Sequence, residues 1–331
     1  MRDKIAGALY GMALGDAMGM PAELWGRKRA KAFFGRIEEF LDGPAENDVA
    51  FNYKKGQFTD DTGQALVLLD SIESTDYEPD TRDIALRMLA WAEKENAFEN
   101  NILGPTSKVA LANFRDNIQD SRITDKALSN GSAMRIAPIG CLFRPEQKED
   151  IARYVYLVSR ATHTSDVTIA GAAMIAEAVS SAIVKDDFEK VMEDVFGIEE
   201  IGYGMGCETF SPRLGERLRI GLDIAGSYKG DDEGFIHKLY DVVGTGVGII
   251  ESVPAALSVA YYAQDPNLSC LLCANMAGDT DTIGAMATAV CGAFTGMGRI
   301  KPEYIRTLRQ QNDADFDHYI RILEKGRERF A

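Results

Sequence analysis

The sequence is poor in basic residues, and this shortage narrows the classes of partner that it can bind. Its 331 residues carry 36 Lys and Arg against 51 Asp and Glu, which gives a formal net charge of −15. A protein that binds a nucleic acid polymer needs a basic surface, and no stretch here is clearly basic, so we expect no such partner. The negative field of the chain would instead concentrate cations.

Cysteine and histidine are also scarce, with five and three residues. The cysteines are odd in number and lie mostly among apolar residues, which favours reduced core thiols and a cytoplasmic protein. Cys270 and Cys273 have the CxxC spacing, but a structural zinc ion wants four nitrogen or sulfur ligands and no second pair accompanies them. We therefore interpret this pair as one face of a packed helix.

Neither a secretory leader nor a membrane span is expected. The first residues, MRDKIAGALYGMALGDAMG, lack a basic segment followed by a clean cleavage site, and Asp16 interrupts their apolar run. We find no apolar stretch of the length that a transmembrane helix needs. A membrane is therefore not an expected partner.

Alternating, strand-like runs are hard to find, whereas apolar residues at three-to-four spacing recur along the chain. This spacing predicts helices over residues 5–15, 64–73, 82–95, 146–160, 167–185, 213–226, 252–263, 268–277, 282–295 and 303–325. Breakers such as Asp42-Gly43-Pro44 and Asp265-Pro266 separate them. No fixed-period repeat and no linker-like stretch divides the chain. The sequence predicts one all-α domain, a compact multi-helix bundle, over residues 1–331.

Two short acidic segments each open an apolar helical run, Thr59-Asp60-Asp61 near residue 60 and Asp279-Thr280-Asp281-Thr282 near residue 280. Taken alone, either segment could serve as a helix cap, since hydroxyl and carboxylate groups are favoured at a helix start. One cap needs one side-chain oxygen, however, and each segment brings two carboxylates within three residues. Like charges this close raise one another's pKa unless a cation compensates them.

The type and number of these oxygen ligands predict the cation. Carboxylate and hydroxyl oxygens suit Mg²⁺, Mn²⁺ or Ca²⁺ rather than zinc or copper. Four aspartates and two threonines are too many for one cation that keeps waters, and about right for two cations that share a carboxylate. The predicted metal ligands are Thr59, Asp60, Asp61, Asp279, Asp281 and Thr282.

Six motifs along the chain resemble, in the same order, those of the ADP-ribosylglycohydrolase family: GMALGDAMGMPAE, TDDT, SNGSAMRIAPIG, ATHTSDVTIAGAAM, GIIESVPAAL and AGDTDTIGAMATAVCGAFTG. The resemblance covers nearly the whole chain. It implies an all-α fold, two Mg²⁺ or Mn²⁺ ions, and cleavage of the bond at the ribose C1″ of an ADP-ribosylated protein or small molecule, which releases ADP-ribose.

The resemblance also implies catalytic roles. Glu23, at the end of GDAMGMPAE, resembles the family's mobile acidic residue beside the metals and would polarise the scissile position or gate substrate entry. Asp60 or Asp61 would take the proton of the attacking water. Asp16 either braces the metal ligands or caps a turn. Arg135 stays unassigned, because it suits a salt bridge to the acidic segments at least as well as a phosphate contact.

Substrate binding is implied around the SNGSAM motif, whose loop would hold the diphosphate and the distal ribose. Physically, the backbone amides of this loop, at the opening of the apolar run 136–143, can donate to an anion. His163 is expected to face the substrate or to support residues that do, Val247 to line the adenine side, and Glu251 to cap or pack the next helix. The implied substrate-binding residues are Ser129, Asn130, Gly131, Ser132, Ala133, Met134, His163 and Val247.

Three other functions stay open at this point. The same metal site could hydrolyse small N-ribosides, the chain could be a non-catalytic member like the lens crystallins that share this fold, or it could be a metal-dependent phosphohydrolase. The retention of every inferred ligand argues against the crystallin-like alternative. Ala277-Gly278 stands where some relatives have Gly-Gly, and Thr164-Ser165-Asp166 where some have a proline-containing run. Neither departure touches a proposed ligand, and neither identifies the acceptor.

Overall fold

The computed structural model describes residues 1–100 and 102–330, and within them every regular element is helical. The α-helices are α1 (Arg2–Gly19), α2 (Arg27–Phe34), α3 (Asp60–Ser74), α4 (Thr81–Lys94), α5 (Pro105–Arg115), α6 (Arg122–Asp125), α7 (Ala137–Gly140), α8 (Lys148–Ser159), α9 (Asp166–Val184), α10 (Phe188–Tyr203), α11 (Leu214–Ser227), α12 (Asp232–Val242), α13 (Ile249–Ala263), α14 (Pro266–Met276), α15 (Thr280–Thr295), α16 (Pro302–Gln311) and α17 (Phe316–Phe330). Short 3₁₀ turns lie at Met20–Ala22 and Met297–Arg299. These residues form no strand, so the prediction of an all-α fold is confirmed.

Helices α1 and α15 lie side by side along a stripe of glycines. Gly7, Gly11, Gly15 and Gly19 recur every four residues of α1 and therefore share one face. A methyl group at Gly15 would lie 1.9 Å from the carbonyl oxygen of Gly284, and one at Gly19 would lie 2.2 Å from that of Thr280. Only glycine permits this approach, which places the end of α1 against the first turn of α15.

Helix α9 is the core helix of the bundle. It has 19 residues with a mean hydropathy of 1.8, so by length and composition alone it could cross a membrane. The expectation that no apolar stretch would reach this length is therefore wrong. In the structure 94% of the helix is buried against neighbours that include α8, α10, α13 and α15. An apolar helix enclosed on all sides is what the core of a soluble domain requires.

The predicted helix over residues 303–325 is two helices, α16 and α17, with a break that begins at Asn312. The side chain of Asn312 accepts a hydrogen bond from the Phe58 amide at 3.1 Å and donates one to the Gly56 carbonyl at 2.8 Å. The break therefore holds the loop that leads into Thr59 and α3.

Helix α2 was not predicted. It begins with the basic residues RKRAK, so the expectation that no stretch of the chain is clearly basic is wrong. None of its residues is buried, so it has no apolar face for periodicity to detect. Arg27 and Lys31 pair with Asp241 and Glu233 of α12, at 3.0 and 2.7 Å. The local positive charge is thus partly offset. Helices α5, α10 and α12 were likewise not predicted.

The cysteines mostly follow the expected pattern. Cys270 and Cys273 are buried and free on α14, so this pair forms part of a packed helix face. Cys141 and Cys291 are buried free thiols as well. Cys207 is exposed, and for it the expectation of a core thiol is wrong.

Candidate metal and substrate site

Helices α3 and α15 begin at the same place in the fold, although 222 residues separate Thr59 from Asp281. The Thr59 hydroxyl lies 3.2 Å from Oδ2 of Asp61 and 3.4 Å from Oδ2 of Asp281. Thr59 and Asp279 occupy the N-cap positions of α3 and α15, but neither side chain makes a capping hydrogen bond. The two acidic segments therefore face each other, and the simple capping alternative does not describe them.

Asp16 of α1 supplies the cap that Thr59 does not. Its carboxylate accepts hydrogen bonds from the backbone amides of Thr59 and Thr62, at 2.8 and 3.0 Å, and from the Thr62 hydroxyl at 2.6 Å. Asp16 thus holds the first turn of α3 from outside that helix. This leaves the side chains of Thr59, Asp60 and Asp61 free for other contacts.

Glu23 lies with the second acidic segment. One oxygen each of Glu23, Asp279 and Asp281 come within 4.8 Å of one another, a spacing that a shared cation could bridge. The next residue, Leu24, takes a left-handed backbone conformation with φ 57°, and its amide donates to the Gly278 carbonyl at 2.7 Å. The loop that carries Glu23 is therefore attached to the start of α15.

Six carboxyl groups share this space, and burial raises the pKa of every one. The pKa rises to about 6 for Asp16 and Asp279 and to about 8 for Asp60. It lies well above the ordinary value for Glu23, Asp61 and Asp281, where neighbouring carboxylates add to the effect of burial. Without a compensating charge these groups cannot all be ionised near neutral pH.

The oxygen atoms of this site are suitable ligands for a hard divalent cation. Among the described residues, Oδ1 of Asp61 and Oδ1 of Asp281 are buried and have no hydrogen-bond partner. A buried polar atom without a partner destabilises a fold by about 1–3 kcal/mol, more when it is charged. Carboxylate and hydroxyl oxygens are the ligands that Mg²⁺ and Mn²⁺ prefer. Thr282, at the start of α15, is buried at the same place.

The loop 129–134 lies directly against the second acidic segment. The Asn130 side chain donates to Oδ2 of Asp279 at 2.5 Å. The amides of Ala133 and Met134 donate back to the Asn130 carbonyl, whereas those of Gly131 and Ser132 have no acceptor in the described part of the chain. In the apolar run after this loop only the four-residue helix α7 forms, so the helix dipole adds little to the loop.

The turn 244–248 brings Val247 beside the loop. The Asn130 amide donates to the Val247 carbonyl at 3.1 Å, and the Asp279 amide donates to the Thr245 carbonyl at 2.7 Å. Glu251 accepts from the Gly246 amide at 2.9 Å and thereby braces this turn. The Val247 side chain is 45% exposed, so an apolar surface is available next to the loop.

His163 is buried behind the loop. Its Nδ1 lies 2.8 Å from the Thr162 hydroxyl and its Nε2 lies 3.1 Å from the Ser129 hydroxyl. A methyl group at Gly131 would lie 2.8 Å from Cε1 of this ring. Burial, with a contribution from Arg135, lowers the pKa of His163 to about 3, so the imidazole is neutral. Of the two roles expected for His163, support of the loop is the one that this position favours.

Arg135, which the sequence left unassigned, forms no salt bridge with the acidic segments in the described part of the chain. Its guanidinium donates to Oε1 of Gln64 at 2.7 Å and to the Thr162 hydroxyl at 2.6 Å. Gln64 in turn donates to Oδ2 of Asp60 at 2.8 Å and therefore stands between the arginine and the carboxylate. Gln64 was missed in the sequence, where its place one helical turn after Asp60 was the only signal.

A groove of about 500 Å³ opens beside Thr59, and no residue of the loop 129–134 lines it. Burial, together with the carboxyls of Asp60 and Glu23, raises the pKa of Tyr53, so the groove lies within electrostatic reach of the acidic segments. Its aromatic character was not predicted. The lining residues include Tyr53, Thr59, Gly63, Trp91 and Tyr319.

Comparison with known proteins decides the family. A family model described as ADP-ribosylglycohydrolase matches residues 1–329. The chain belongs to the ADP-ribosylglycohydrolase family. The resemblance found in the six motifs is thereby confirmed, and it extends over the whole described chain.

Relatives within this family span a wide range of identity. The uncharacterized protein YegU of Escherichia coli is 44% identical over 98% of both chains. The ADP-ribosylarginine hydrolase Tri1 of Pseudomonas putida is 26% identical over 92% of this chain and 73% of its own length. Human ADP-ribosylhydrolase ARH3 is 23% identical over 94% and 91%. A solved chain of an ADP-ribosylglycohydrolase-related protein complex shares the fold, with a TM-score of 0.72 at 22% identity over 98% of both chains.

Proposed function

We propose that this chain uses two divalent cations, Mg²⁺ or Mn²⁺, to hydrolyse the C1″ glycosidic bond of an ADP-ribosylated protein or small molecule, with release of ADP-ribose. Membership of the family supports hydrolysis of an ADP-ribose linkage. The observation that carries the finer proposal is the meeting of Asp61 and Asp281, each with a buried, unpartnered oxygen. Packing alone does not account for such atoms, whereas a bound cation would.

The proposed metal ligands remain those of the two acidic segments, with Glu23 close by: Thr59, Asp60, Asp61, Asp279, Asp281 and Thr282. When bound, two divalent cations would restore the ionised form of the ligating aspartates, hold the 2″- and 3″-hydroxyls of the ribose and acidify a water. The rest of the chemistry belongs to side chains of this protein.

Asp60 has the position of a general base. It is partly exposed, and because Gln64 occupies its Oδ2, Oδ1 is left to accept a proton from the attacking water. Asp61 is 1% exposed and contacts Thr59, so it is better placed to hold a cation than to exchange protons with solvent. We therefore assign the base to Asp60, which is also a proposed metal ligand, and ligation alone to Asp61.

Glu23 has the position of the proton donor. It is partly exposed at the rim, and its pKa lies well above the ordinary value because of burial and the nearby Asp279 and Asp60. In its protonated form it can donate to the acceptor atom that leaves C1″ as the ribose becomes oxocarbenium-like. The proton taken from water by Asp60 and the one given by Glu23 then balance the hydrolysis.

The loop 129–134 and the groove would bind different parts of the substrate. The free amides of Gly131 and Ser132 would donate to the diphosphate, and exposed Val247 would contact the adenine. The acceptor would then extend to the other side of the acidic segments, into the groove lined by Trp91 and Tyr53. The remaining substrate-binding residues proposed are Ser129, Asn130, Ala133 and Met134, with His163 supporting the loop from behind. The reduced thiols lead us to place this activity in the cytoplasm.

The test is product analysis. The purified chain is incubated with a panel of ADP-ribosylated proteins and small molecules in Mg²⁺ or Mn²⁺, and the products are identified by mass spectrometry. We expect free ADP-ribose, its loss in EDTA, and its recovery when Mg²⁺ is restored. Asp60→Asn serves as the inactive control. Free ribose from a small N-riboside, inorganic phosphate, or no product from any substrate would each replace this proposal with one of the three alternatives.

A further inference from the structure

Arg135 is a buried arginine that contacts no carboxylate among the described residues. The residue is 1% exposed, and its two hydrogen-bond acceptors, Gln64 and Thr162, are both uncharged. Its Nε has no partner in the part of the chain that the structure describes. Removing a charge from water without an ionic partner is unfavourable. The position of Arg135 therefore calls for an explanation beyond packing.

The hydrogen bonds of Gln64 have a fixed direction. Arginine has no acceptor atom, so the Gln64 oxygen must face Arg135 and the Gln64 amide must face Asp60. Arg135 therefore sets the orientation of the glutamine, and the glutamine sets the orientation of the Asp60 carboxylate. Gln64 itself is 1% exposed, which leaves it little room for another arrangement.

The other branch from Arg135 leads to the substrate loop. The Thr162 hydroxyl accepts from Arg135, so its own proton is free to be donated to Nδ1 of His163. The neutral imidazole then carries its proton on Nε2, which faces the Ser129 hydroxyl at 3.1 Å. The order of donors runs from Arg135 through Thr162 and His163 to Ser129.

A single segment of chain, residues 130–135, thus contacts the second acidic segment directly and reaches the first through Gln64. Asn130, at its start, donates to Asp279, and Arg135, at its end, acts on Asp60 through Gln64. The same six residues therefore connect the two halves of the proposed metal site with the substrate loop.

We propose that Arg135 and Gln64 are positioning residues that align Asp60 for cation binding and, through His163, hold the substrate loop in register with it. The proposal rests on the proposed function, because it takes Asp60 as a metal ligand. Hydrogen-bond partners behind a metal ligand typically change metal affinity or activity by about 10–100-fold when they are lost.

The experiment titrates Mn²⁺ into the parent, four purified single variants and the Gln64→Met/Arg135→Met double variant by calorimetry. Gln64→Met keeps the length of the side chain and removes the donor to Asp60. Arg135→Met removes the charge and both hydrogen bonds, and Arg135→Lys keeps the charge without the fork that reaches Gln64 and Thr162 together. Arg327→Met is the matched control, since Arg327 is also buried and donates only to the carbonyls of Cys141 and Phe143.

We expect Gln64→Met and Arg135→Met each to weaken Mn²⁺ binding by about 10-fold or more. The double variant should be little worse than either one, because the two residues act in series. Arg135→Lys should recover only part of the affinity. Arg135→Met should also weaken inhibition by free ADP-ribose more than Gln64→Met does, since it alone breaks the branch to His163. Arg327→Met should lower the melting temperature and leave the Mn²⁺ affinity unchanged.

Parent-like Mn²⁺ affinity in Gln64→Met would overturn the proposal, and this variant decides the question even if Arg135→Met does not fold. Arg327→Met shows what a general loss of stability does: if it lowers the melting temperature and leaves the Mn²⁺ affinity unchanged, a weaker affinity in the other variants is not a stability effect. If the parent binds Mn²⁺ and releases ADP-ribose while both variants remain normal, only the positioning role fails. If the parent binds no Mn²⁺, the positioning role and the proposed function fail together.

Discussion

The Asn130 side chain donates a hydrogen bond to Asp279 at 2.5 Å, across 149 positions of sequence. The backbone amide of Asn130 donates to the Val247 carbonyl, so one residue joins the proposed metal ligand, substrate loop and adenine contact. The same hydrogen bond opposes the effect of burial on the pKa of Asp279, which rises only to about 6 whereas that of Asp60 rises to about 8. The metal and substrate parts of the site are thus mechanically connected.

Asn130→Ala should therefore weaken both Mn²⁺ binding and inhibition by free ADP-ribose. A hydrogen bond to a charged group contributes about 1.5–3 kcal/mol, which corresponds to about 10–100-fold in affinity. Calorimetry measures the first effect and a competition assay the second. Asn275→Ala is the control, because Asn275 binds the backbone of Ile37 and Leu271 outside the site. Parent-like Mn²⁺ affinity in Asn130→Ala would show that Asp279 needs no such support.

Replacing Asp281 by asparagine should have opposite effects with and without metal. In the metal-free protein, removal of one of several crowded carboxyls relieves repulsion, so the melting temperature should stay equal or rise. Added Mg²⁺ should stabilise the parent by about 2.7 kcal/mol at 100 times its dissociation constant and should not stabilise the variant. Turnover should be abolished.

Asp265→Asn provides the comparison for this experiment. Asp265 caps α14 and pairs with Arg299; asparagine keeps the cap but loses the ion pair, so the substitution should destabilise the protein slightly, and equally with and without Mg²⁺. Full activity of Asp281→Asn, or full activity of the parent in EDTA, would refute the metal site and the function that depends on it.

The close contact between α1 and α15 predicts that alanine has opposite effects on stability at a glycine inside this contact and at a glycine outside it. Gly15→Ala should destabilise the protein by about 1–3 kcal/mol or more, since the new methyl group meets the Gly284 carbonyl. Gly226→Ala, in α11, has open space around its added methyl group and should stabilise by up to about 1 kcal/mol. Denaturant unfolding of both variants measures the difference. Equal effects of the two substitutions would mean that α1 and α15 are not in close contact.

The acidic segments could be predicted from sequence because each one is unusual on its own, before any fold is known. Two carboxylates within three residues at a helix start exceed what capping needs, and this excess is visible without a fold. That Asp16 would provide the cap for α3 was not visible, because it lies on α1 and meets α3 only in the folded bundle.

The errors also have physical causes. Periodicity continued through residues 312–315, but Asn312 uses its side chain to hold the loop at Gly56 and Phe58, which ends the helix. Helix α2 escaped notice because none of its residues is fully buried. For Arg135 the sequence left a salt bridge and a phosphate contact open, and neither alternative anticipated Gln64, whose place between Arg135 and Asp60 depends on the tertiary distance between α3 and the loop. Contacts between distant segments set all of these features.

Glu177 predicts a pH dependence of stability away from the proposed metal site. It is fully buried on α9, with Lys148 at 2.9 Å from Oε1 and no partner for Oε2 among the described residues. Burial raises its pKa from an ordinary 4.5 to about 8, against the effect of Lys148 and with added repulsion from Asp194 and Glu146. Between these two values the folded state holds a proton that the unfolded state has lost, so the contribution of this group to stability falls as pH rises.

Glu177→Gln removes that dependence while it keeps the shape of the side chain. Its stability relative to the parent should therefore increase from pH 5 to pH 8. Thermal unfolding of both proteins in EDTA across this range measures the change, and the common effect of the metal-site carboxyls cancels in the difference. A stability difference that stays constant with pH would show that Glu177 is ionised throughout.

Substitution of Trp91 tests whether the loop binds ADP-ribose and the groove binds the acceptor. Its indole packs over Gly63, with Nε1 3.1 Å from where a methyl group on that glycine would lie, and it forms a wall of the groove beside Thr59. If the acceptor occupies the groove and ADP-ribose occupies the loop, Trp91→Ala should raise KM for ADP-ribosylated substrates by about tenfold, which corresponds to about 1.4 kcal/mol of lost contact. Inhibition by free ADP-ribose should not change, because that ligand carries no acceptor.

Phe210→Ala is the control for this prediction, because Phe210 is fully exposed and lines none of the groove. Mn²⁺ titration of Trp91→Ala should match the parent, which separates loss of the acceptor contact from a disturbance of α3 and its metal ligands. Trp91→Ala could show the opposite pattern: free ADP-ribose inhibits it less well, and the ratio of KM values among substrates does not change. That result would place the adenosine part of the substrate in this groove. In that case Val247 and the loop 129–134 would lie on the acceptor side, and the orientation of the scissile bond between Glu23 and Asp60 would be reversed.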